Sequence, residues 1–198
     1  MIENYYNKNS KEFFENTVKV NMKELYIDFE NYLKNGDSLL DLGCGSGRDS
    51  KYFISKGYDV LSVDSSEEIA KLAAEFIGKE VRIEDMRNIN YIEKFKGIWA
   101  CASILHIQRS EIETVFDKCY QALKENGIFY SSYKYGDKEE TRNGRYFNCY
   151  NEESMLKLVT KTKFKVEKIW ITSDVRENRD NEKWLNVILK KYIWNRVF

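Results

Sequence analysis

SLLDLGCGSGRD, at residues 38–49, is the stretch of sequence that decides the fold. Its apolar beginning, Ser38 to Leu42, predicts a short buried strand. Three glycines then predict a tight turn, and Arg48 opens a segment with helical spacing that stops at Gly57. Glycine lets the backbone turn tightly and lets a ligand approach it, and a helix N-terminus offers free N–H groups. The stretch therefore predicts a strand, a ligand-binding loop and a helix in succession.

Two acidic residues indicate what this loop binds. Asp41 stands just before the glycines, and Asp64 ends the next predicted strand, 58–63. A carboxylate at the end of that second strand can hold ribose hydroxyls. A carboxylate before the loop would repel a pyrophosphate, and it suits a ligand that carries an ammonium group. The G-x-G-x-G spacing also departs from the G-x-G-x-x-G of dinucleotide sites. S-adenosylmethionine (SAM), with an amino group, a ribose and no phosphate, fits both acids.

Strands and helices alternate through the middle of the chain. Strands are predicted at 38–42, 58–63, 81–84, 97–102 and 127–134. Capping boxes, formed by Ser65 with Glu68 and by Ser110 with Glu113, are expected to open two of the intervening helices. Strands separated by helices imply right-handed crossovers, and hence a parallel sheet that is covered on both faces.

The two ends of the chain follow other patterns. Residues 10–33 are predicted to be helical and precede the first strand, and 136–148 is a polar segment that leads to a helix at 152–159. Two β-rich stretches follow, 164–172 and 183–192, with only about ten polar residues between them. That gap is too short for a crossover helix, so the two stretches are predicted to pair antiparallel.

The loop and the second strand resemble a known family. DLGCGSGRD, with SVDSS at 62–66, resembles motifs I and II of the class I SAM-dependent methyltransferases, and residues 43–60 are similar in particular to the tellurite-resistance methyltransferase-like branch. The resemblance implies an α/β, Rossmann-like, doubly wound sheet of seven strands, the last antiparallel, with an N-terminal helical segment. We expect a single domain, 1–198. Its expected parts are a helical cap (1–34), a cofactor-binding core (35–135) and a substrate-side half (136–198).

The resemblance also extends the set of candidate cofactor residues. It implies an acidic residue near the adenine amine and an apolar side chain on the ring at Asp85 and Met86, and backbone beside the methionine part of SAM at Ala100 and Cys101. The candidate cofactor-binding residues are Asp41, Gly43, Cys44, Gly45, Gly47, Arg48, Asp64, Ser65, Asp85, Met86, Ala100 and Cys101.

The acceptor of the methyl group is expected above the carboxyl ends of the fourth and fifth strands. His106, the one histidine, follows the fourth strand and is the candidate catalytic base, since imidazole takes up a proton near pH 7. Alternatively, it packs behind the strand as a hydrogen-bond donor. Tyr5 and Tyr6 either cover the substrate or staple the N-terminal helix to the sheet. The candidate substrate-binding residues are Tyr5, Tyr6, Ser103, His106, Lys134, Arg145 and Arg176.

Several cations fall in segments that border the acceptor pocket of this fold. They are Arg48, Lys134, Arg145, Arg176 and Arg179. Arginine captures oxyanions in a planar, two-point geometry, so these residues predict a small acceptor that is anionic or carries an anionic group. The alternative is that they are surface charges paired with neighbouring acids.

Composition excludes several classes of function. Lys+Arg and Asp+Glu both number 32 in 198 residues, so there is no basic excess for binding DNA. No apolar run approaches the ~20 residues that span a bilayer, and the first residues lack a signal-peptide core. We therefore expect a cytoplasmic protein without a membrane partner, either a monomer or a weak dimer. The four cysteines are far apart and there is one histidine, so no metal site is expected.

Three alternatives to a small-molecule methyltransferase remain at this stage. The chain could methylate a peptide or protein side chain, or bind SAM without catalysis. It could also be a nucleotide-binding oxidoreductase, which the loop spacing and Asp41 disfavour.

Overall fold

Seven strands form the central sheet of the computed structural model, which describes residues 2–176, 179 and 181–192. The strands of this sheet are β1 (Ser38–Leu42), β2 (Asp59–Asp64), β3 (Val81–Ile83), β4 (Phe95–Ala100), β5 (Leu123–Lys134), β8 (Phe164–Ser173) and β9 (Lys183–Lys191). A separate hairpin joins β6 (Glu139–Arg142) to β7 (Arg145–Asn148). The helices are α1 (Ile2–Lys8), α2 (Ser10–Thr17), α3 (Lys23–Glu30), α4 (Arg48–Ser55), α5 (Glu67–Ile77), α6 (Arg109–Ala122) and α7 (Glu152–Val159). The expected domain 1–198 also includes Met1, residues 177, 178 and 180, and 193–198, which lie outside the described residues.

The order of strands across the sheet is β3-β2-β1-β4-β5-β9-β8. The strands from β1 to β5 run parallel, and β9 is antiparallel to both of its neighbours. Helices α4, α5 and α6 form three of the four crossovers between β1 and β5, and the segment from β3 to β4, which the structure describes throughout, has no helix. The Rossmann-like sheet with an antiparallel last strand is therefore confirmed. Its two faces carry separate cores, because alternate residues of a strand point to opposite sides: Leu40 and Phe129 pack on the α6 and α7 side, and Leu39 and Tyr130 pack on the α3 and α4 side.

The glycine loop between β1 and α4 uses left-handed backbone at Gly43 (φ 75°), Gly45 (φ 54°) and Gly47 (φ 76°). Neighbouring atoms lie so close to this loop that two of its glycine positions have no room for a side chain. A Cβ on Gly43 would lie 2.6 Å from the Cβ of Ser103, and one on Gly47 would lie 2.7 Å from Ile77 of α5. Gly43 therefore lets the loop meet the end of β4, while Gly47 lets two helices pack closely.

The two predicted capping boxes are wrong. Ser66, rather than Ser65, caps α5: its hydroxyl accepts the N–H of Ile69, and its backbone is still extended. The α6 helix begins at Arg109, and Gln108 at its N-cap makes no side-chain capping hydrogen bond. Ser110 thus lies already inside the first turn.

The N-terminal region is helical as expected, and the structure divides it into three helices, α1 to α3, of which α1 precedes residue 10. The segment 136–148 forms the β6–β7 hairpin, with Asn143 (φ 50°) and Gly144 (φ 74°) as its two-residue turn. Asn-Gly is the residue pair that such turns favour, because both positions need positive φ. Among the described residues, no helix is long and apolar enough to cross a membrane.

Candidate active site

Two adjoining cavities open where the parallel strands end, at the edge of the sheet where this fold class binds ligands. The larger has a volume of about 690 Å³ and the smaller about 260 Å³. They share a wall made by the N-terminal helices, the glycine loop and the segment after β4. The residues that line both cavities are Tyr6, Phe13, Gly43, Gly45, Ala102 and His106. A ligand longer than either cavity can therefore extend from one into the other.

Asp64 is fixed in the wall of the smaller cavity by backbone donors. Its Oδ2 accepts the N–H of Gly45 and its Oδ1 accepts the N–H of Ser66, each at 3.0 Å. Burial raises the pKa of Asp64, while the hydrogen bonds from backbone N–H groups oppose that rise. Each carboxylate oxygen can accept a further hydrogen bond. Asp64 thus lies at the end of β2, where the sequence predicts it, and it lines this cavity with acceptor capacity left on both oxygens.

Asp85 and Met86 also line the smaller cavity. Burial alone would raise the pKa of Asp85, but the Arg87 guanidinium, bound across both of its oxygens, lowers it. The methyl group of Met86 lies 3.5 Å from the position that a Cβ on Gly43 would take. The smaller cavity therefore combines an apolar wall with two carboxylates, of which Asp85 is engaged by Arg87.

Asp41 does not lie where the sequence interpretation required it. It is only 2% exposed and lines neither cavity, because strand alternation turns it to the same side as Leu39, toward α4. There its Oδ2 accepts the hydroxyl of Ser50 at 2.6 Å. Burial and the nearby Asp49 carboxylate raise the pKa of Asp41 to about 8. A direct contact between Asp41 and a ligand ammonium therefore has no support in this geometry.

Asp49 is the carboxylate on the wall of the larger cavity beside the loop. It accepts hydrogen bonds from Arg48 Nε (2.6 Å), the Tyr26 hydroxyl (2.5 Å) and Trp99 Nε1 (2.8 Å). Burial would raise the pKa of Asp49, but these donors outweigh it and lower the pKa. The interactions fix the Arg48 side chain, which lines the same cavity.

His106 has a defined tautomer. Its Nδ1 lies 2.7 Å from the backbone carbonyl of Tyr146, which can only accept, so Nδ1 carries the hydrogen. Nε2 is then the acceptor for the Tyr6 hydroxyl at 2.9 Å. Burial lowers the pKa of His106 to about 4, and burial raises the pKa of Tyr6. The imidazole is therefore neutral near pH 7, and its basic nitrogen is covered by Tyr6.

Most of the predicted anion-binding cations are already neutralised by carboxylates. Lys134 pairs with Asp174 (3.2 Å) and with Glu182, and Arg176 binds both oxygens of Asp174 at 2.9 and 2.6 Å. Arg145 differs from them. Its Nε is buried without an acceptor among the described residues, and its guanidinium carbon lies 5.1 Å from the centre of the Tyr5 ring.

The structure brings most of the predicted residues to the cavity walls. Those that line a cavity are Gly43, Cys44, Gly45, Arg48, Asp64, Ser65, Asp85, Met86, Cys101, Tyr6, Ser103, His106, Lys134, Arg145 and Arg176. Four do not: Asp41, Gly47, Ala100 and Tyr5. Gly47 faces α5, Ala100 is fully buried in β4, and Tyr5 contacts Arg145 from outside the wall.

Sequence reasoning missed several lining residues, among them Asp49, Ser132 and Asn186. Two of them had a signal. Ser132 and Asn186 are polar residues inside the apolar strand runs IFYSSY and WLNVIL. In the structure Ser132 accepts the N–H of Ala102 at 2.8 Å, which holds Ala102 at a positive φ of 52°. A polar residue in an otherwise apolar buried strand was the pattern to look for.

Comparisons of sequence agree with the architecture. Residues 39–127 match the Methyltransferase domain family. The "Putative methyltransferase YqeM" of Bacillus subtilis (strain 168) is 29% identical over 107 residues, which cover 48% of this chain and 43% of that relative. The match thus spans less than half the length of the relative.

Solved structures share the fold over nearly the whole chain. The 1,6-didemethyltoxoflavin-N1-methyltransferase of Burkholderia thailandensis, solved with 1,6-didemethyltoxoflavin and S-adenosylhomocysteine, has a TM-score of 0.78 at 19% identity and covers 97% of this chain and 88% of its own. A TehB-like SAM-dependent methyltransferase from Corynebacterium glutamicum has a TM-score of 0.72 at 15% identity and covers 95% and 99%. At these identities the likeness establishes the fold alone.

Proposed function

We propose that the chain is a class I SAM-dependent methyltransferase, that it binds SAM across the two cavities, and that it methylates a small acceptor in the larger one. The observation that supports the proposal most directly is the wall that the two cavities share. The glycine loop and Asp64 lie on one side of it, and Tyr6 and His106 lie at the junction of the cavities.

The residues of the smaller cavity fit the adenosine part of SAM. Asp64, with acceptor capacity left on both oxygens, would hold the ribose hydroxyls, and Met86 would lie against the adenine ring. Gly43 and Gly45 let the backbone line both cavities, because they carry no side chain there. When bound, SAM supplies a methyl group on a sulfonium, already activated for in-line transfer.

The larger cavity then has room for the rest of the cofactor and for the acceptor. Arg48, fixed by Asp49 at the start of α4, would face the cofactor carboxylate, and Ser132 lines the same cavity. The chain's contribution to the reaction is to orient the acceptor and to exclude water, which is sufficient for an acceptor that carries no proton at neutral pH. His106 can take a proton from the acceptor only through the Tyr6 hydroxyl.

A small acceptor is supported by the aromatic side chains at the junction of the cavities. Tyr6 and Phe13, from α1 and α2, lie over the junction of the cavities, and Phe13 lies 3.2 Å from where a Cβ on Gly45 would be. The structural neighbour from B. thailandensis was solved with a small heterocycle, 1,6-didemethyltoxoflavin. Methylation of a peptide or protein side chain is the second candidate, since the larger cavity also reaches the linker between α2 and α3 at residues 20–22.

Two measurements test the proposal. Calorimetry is expected to show binding of SAM and S-adenosylhomocysteine (SAH) and no binding of NAD; tighter binding of NAD would refute it. Methyl-labelled SAM, incubated with the protein and a cell extract, is then expected to label the ultrafiltrate. Label in the acid-precipitated protein would establish the second candidate. SAM binding without label in either fraction would establish a binding module.

A further inference from the structure

Arg145 differs in its charge balance from the other cations on the wall of the larger cavity. Lys23 is exposed to solvent there. The other four each pair with a carboxylate, and these are Arg48, Lys134, Arg176 and Arg179. Arg145 is half-buried, and among the described residues no carboxylate forms an ion pair with it. An unpaired guanidinium on a cavity wall can pair directly with an anionic group of a ligand, whereas each of the four paired cations would first have to give up a carboxylate.

Its surroundings hold the guanidinium in place rather than leaving it to solvent. The rings of Tyr5 and Phe147 lie 5.1 and 5.2 Å from its central carbon. Its Nε is buried and has no acceptor among the described residues. The residue begins β7, directly after the tight Asn143-Gly144 turn. Cation–π contacts and the position directly after a tight turn limit the orientations open to the side chain, which lowers the entropic cost of binding an anion.

Arg145 also lies next to the junction of the cavities. The carbonyl of the following residue, Tyr146, binds His106, and the Arg145 charge is close enough to Tyr6 to oppose the rise in its pKa. Tyr6 and His106 line both cavities. A group bound at Arg145 would therefore place the remainder of the same molecule near the shared wall.

We infer that Arg145 binds a carboxylate of the methyl acceptor and thereby orients the acceptor toward the shared wall. This inference rests on the proposed function. A single uncompensated positive charge matches a monoanion better than a phosphate dianion, and the planar fork of a guanidinium matches the two oxygens of a carboxylate. The aromatic neighbours Tyr6 and Phe147 favour an acceptor with an apolar or aromatic body.

The experiment compares acids with their neutral amides on the SAH-loaded protein, so it does not need the natural acceptor. Benzoate is paired with benzamide, and indole-3-acetate with indole-3-acetamide. Ligand-observed NMR titration gives each dissociation constant. At least one acid is expected to bind about tenfold or more tightly than its amide, because a charge-assisted hydrogen bond is lost in the amide. Inorganic phosphate, as a third probe, is expected to compete only weakly.

Substitutions at Arg145 test whether this residue causes the preference for acids over amides. Arg145→Met is expected to abolish it, and Arg145→Lys, which keeps the charge without the fork, to retain a part. Arg142→Met is the matched control: Arg142 faces Arg145 across the hairpin, is exposed and pairs with Glu140. The control is expected to bind the acids as the wild type does. Thermal unfolding of each variant verifies that it is folded.

Three results would overturn the inference. The first is that neither acid binds better than its amide to the wild type, a comparison that needs no variant. The second is tight competition by phosphate. The third is that Arg145→Met weakens SAH binding as much as acid binding, since Arg145 would then hold the cofactor. Failure of the wild type to bind SAH at all is a separate outcome, and it would refute the proposed function itself.

Discussion

The two sides of the shared wall are built in different ways. On the loop side, defined by Gly43, Gly45 and Asp64, the partners are close in sequence: Asp64 is held by the N–H of Gly45, 19 residues away, and by that of Ser66. On the tyrosine–histidine side, defined by Tyr6, His106 and Tyr146, the partners are 100 and 40 residues apart.

This difference determines how each side responds to change. The loop side is fixed by backbone dihedral angles and by backbone donors, which a side-chain substitution elsewhere does not remove. The tyrosine–histidine side exists only while α1 and the β6–β7 hairpin are docked on the segment after β4. We therefore expect the loop side to be sensitive to added bulk, and the opposite side to the loss of single hydrogen-bonding groups.

The largest effect is expected from bulk at the loop. Gly43→Ala would place a Cβ 2.6 Å from the Cβ of Ser103 at a φ of 75°. Left-handed strain adds about 1–2 kcal/mol and overpacking about 1–3 kcal/mol, so the free energy of unfolding should fall by about 3 kcal/mol. Gly36→Ala is the control, because it has a similar φ of 83° and open space around it. Equal losses in the two variants, by urea unfolding, would show that the close approach to Ser103 has no energetic weight.

Asp64→Ala tests the loop side in binding. Loss of a charge-assisted hydrogen bond to the ribose is expected to weaken SAH binding by about 1.5–3 kcal/mol, measured by calorimetry. Asp59→Ala is the matched control, since Asp59 begins the same strand and is exposed. If a folded Asp64→Ala protein binds SAH as the wild type does, Asp64 does not hold the ribose.

The sequence predicts the loop side of the wall better than the tyrosine–histidine side. The glycine loop, the place of Asp64 and the succession of strands and helices along the chain are local or periodic patterns, and the sequence predicts them. Asp41 was assigned to the ligand from its place beside the loop, but strand alternation turns it toward α4, where Ser50 binds it. The hydrogen bond between Tyr6 and His106 has no local sequence signal, because it depends on how α1 packs against the segment after β4. The hairpin that carries Arg145 does have a local signal, the Asn143-Gly144 pair.

The buried histidine should make stability depend on pH. Burial lowers the pKa of His106 to about 4 in the folded state, against about 6.5 unfolded. Between these values the unfolded chain takes up a proton that the folded chain does not, so stability falls as pH falls through this window. From pH 7 to 5 the wild type is expected to lose about 2 kcal/mol more than His106→Gln.

Urea unfolding at a series of pH values measures this difference. Other groups, such as Asp41 with its raised pKa, titrate in both proteins and cancel in the comparison. The chain contains one histidine, so no second imidazole contributes. Parallel stability curves for the two proteins would mean that His106 is accessible to water and that the tyrosine–histidine side is open.

The smallest effect is expected from the single hydroxyl that joins α1 to the rest of this side. Tyr6→Phe removes the donor to His106 Nε2 but keeps the ring contact with Phe13. The free energy of unfolding should fall by about 1 kcal/mol, the usual net value of one hydrogen bond. Tyr5→Phe, one residue earlier on the same helix, controls for loss of a tyrosine hydroxyl.

A double-mutant cycle with His106→Gln isolates the interaction between Tyr6 and His106. The losses of unfolding free energy in the two single variants should not add in the double variant. Additive losses would mean that Tyr6 and His106 are not coupled. The acceptor's proton could then not reach His106 through Tyr6, and catalysis would rest on orientation alone.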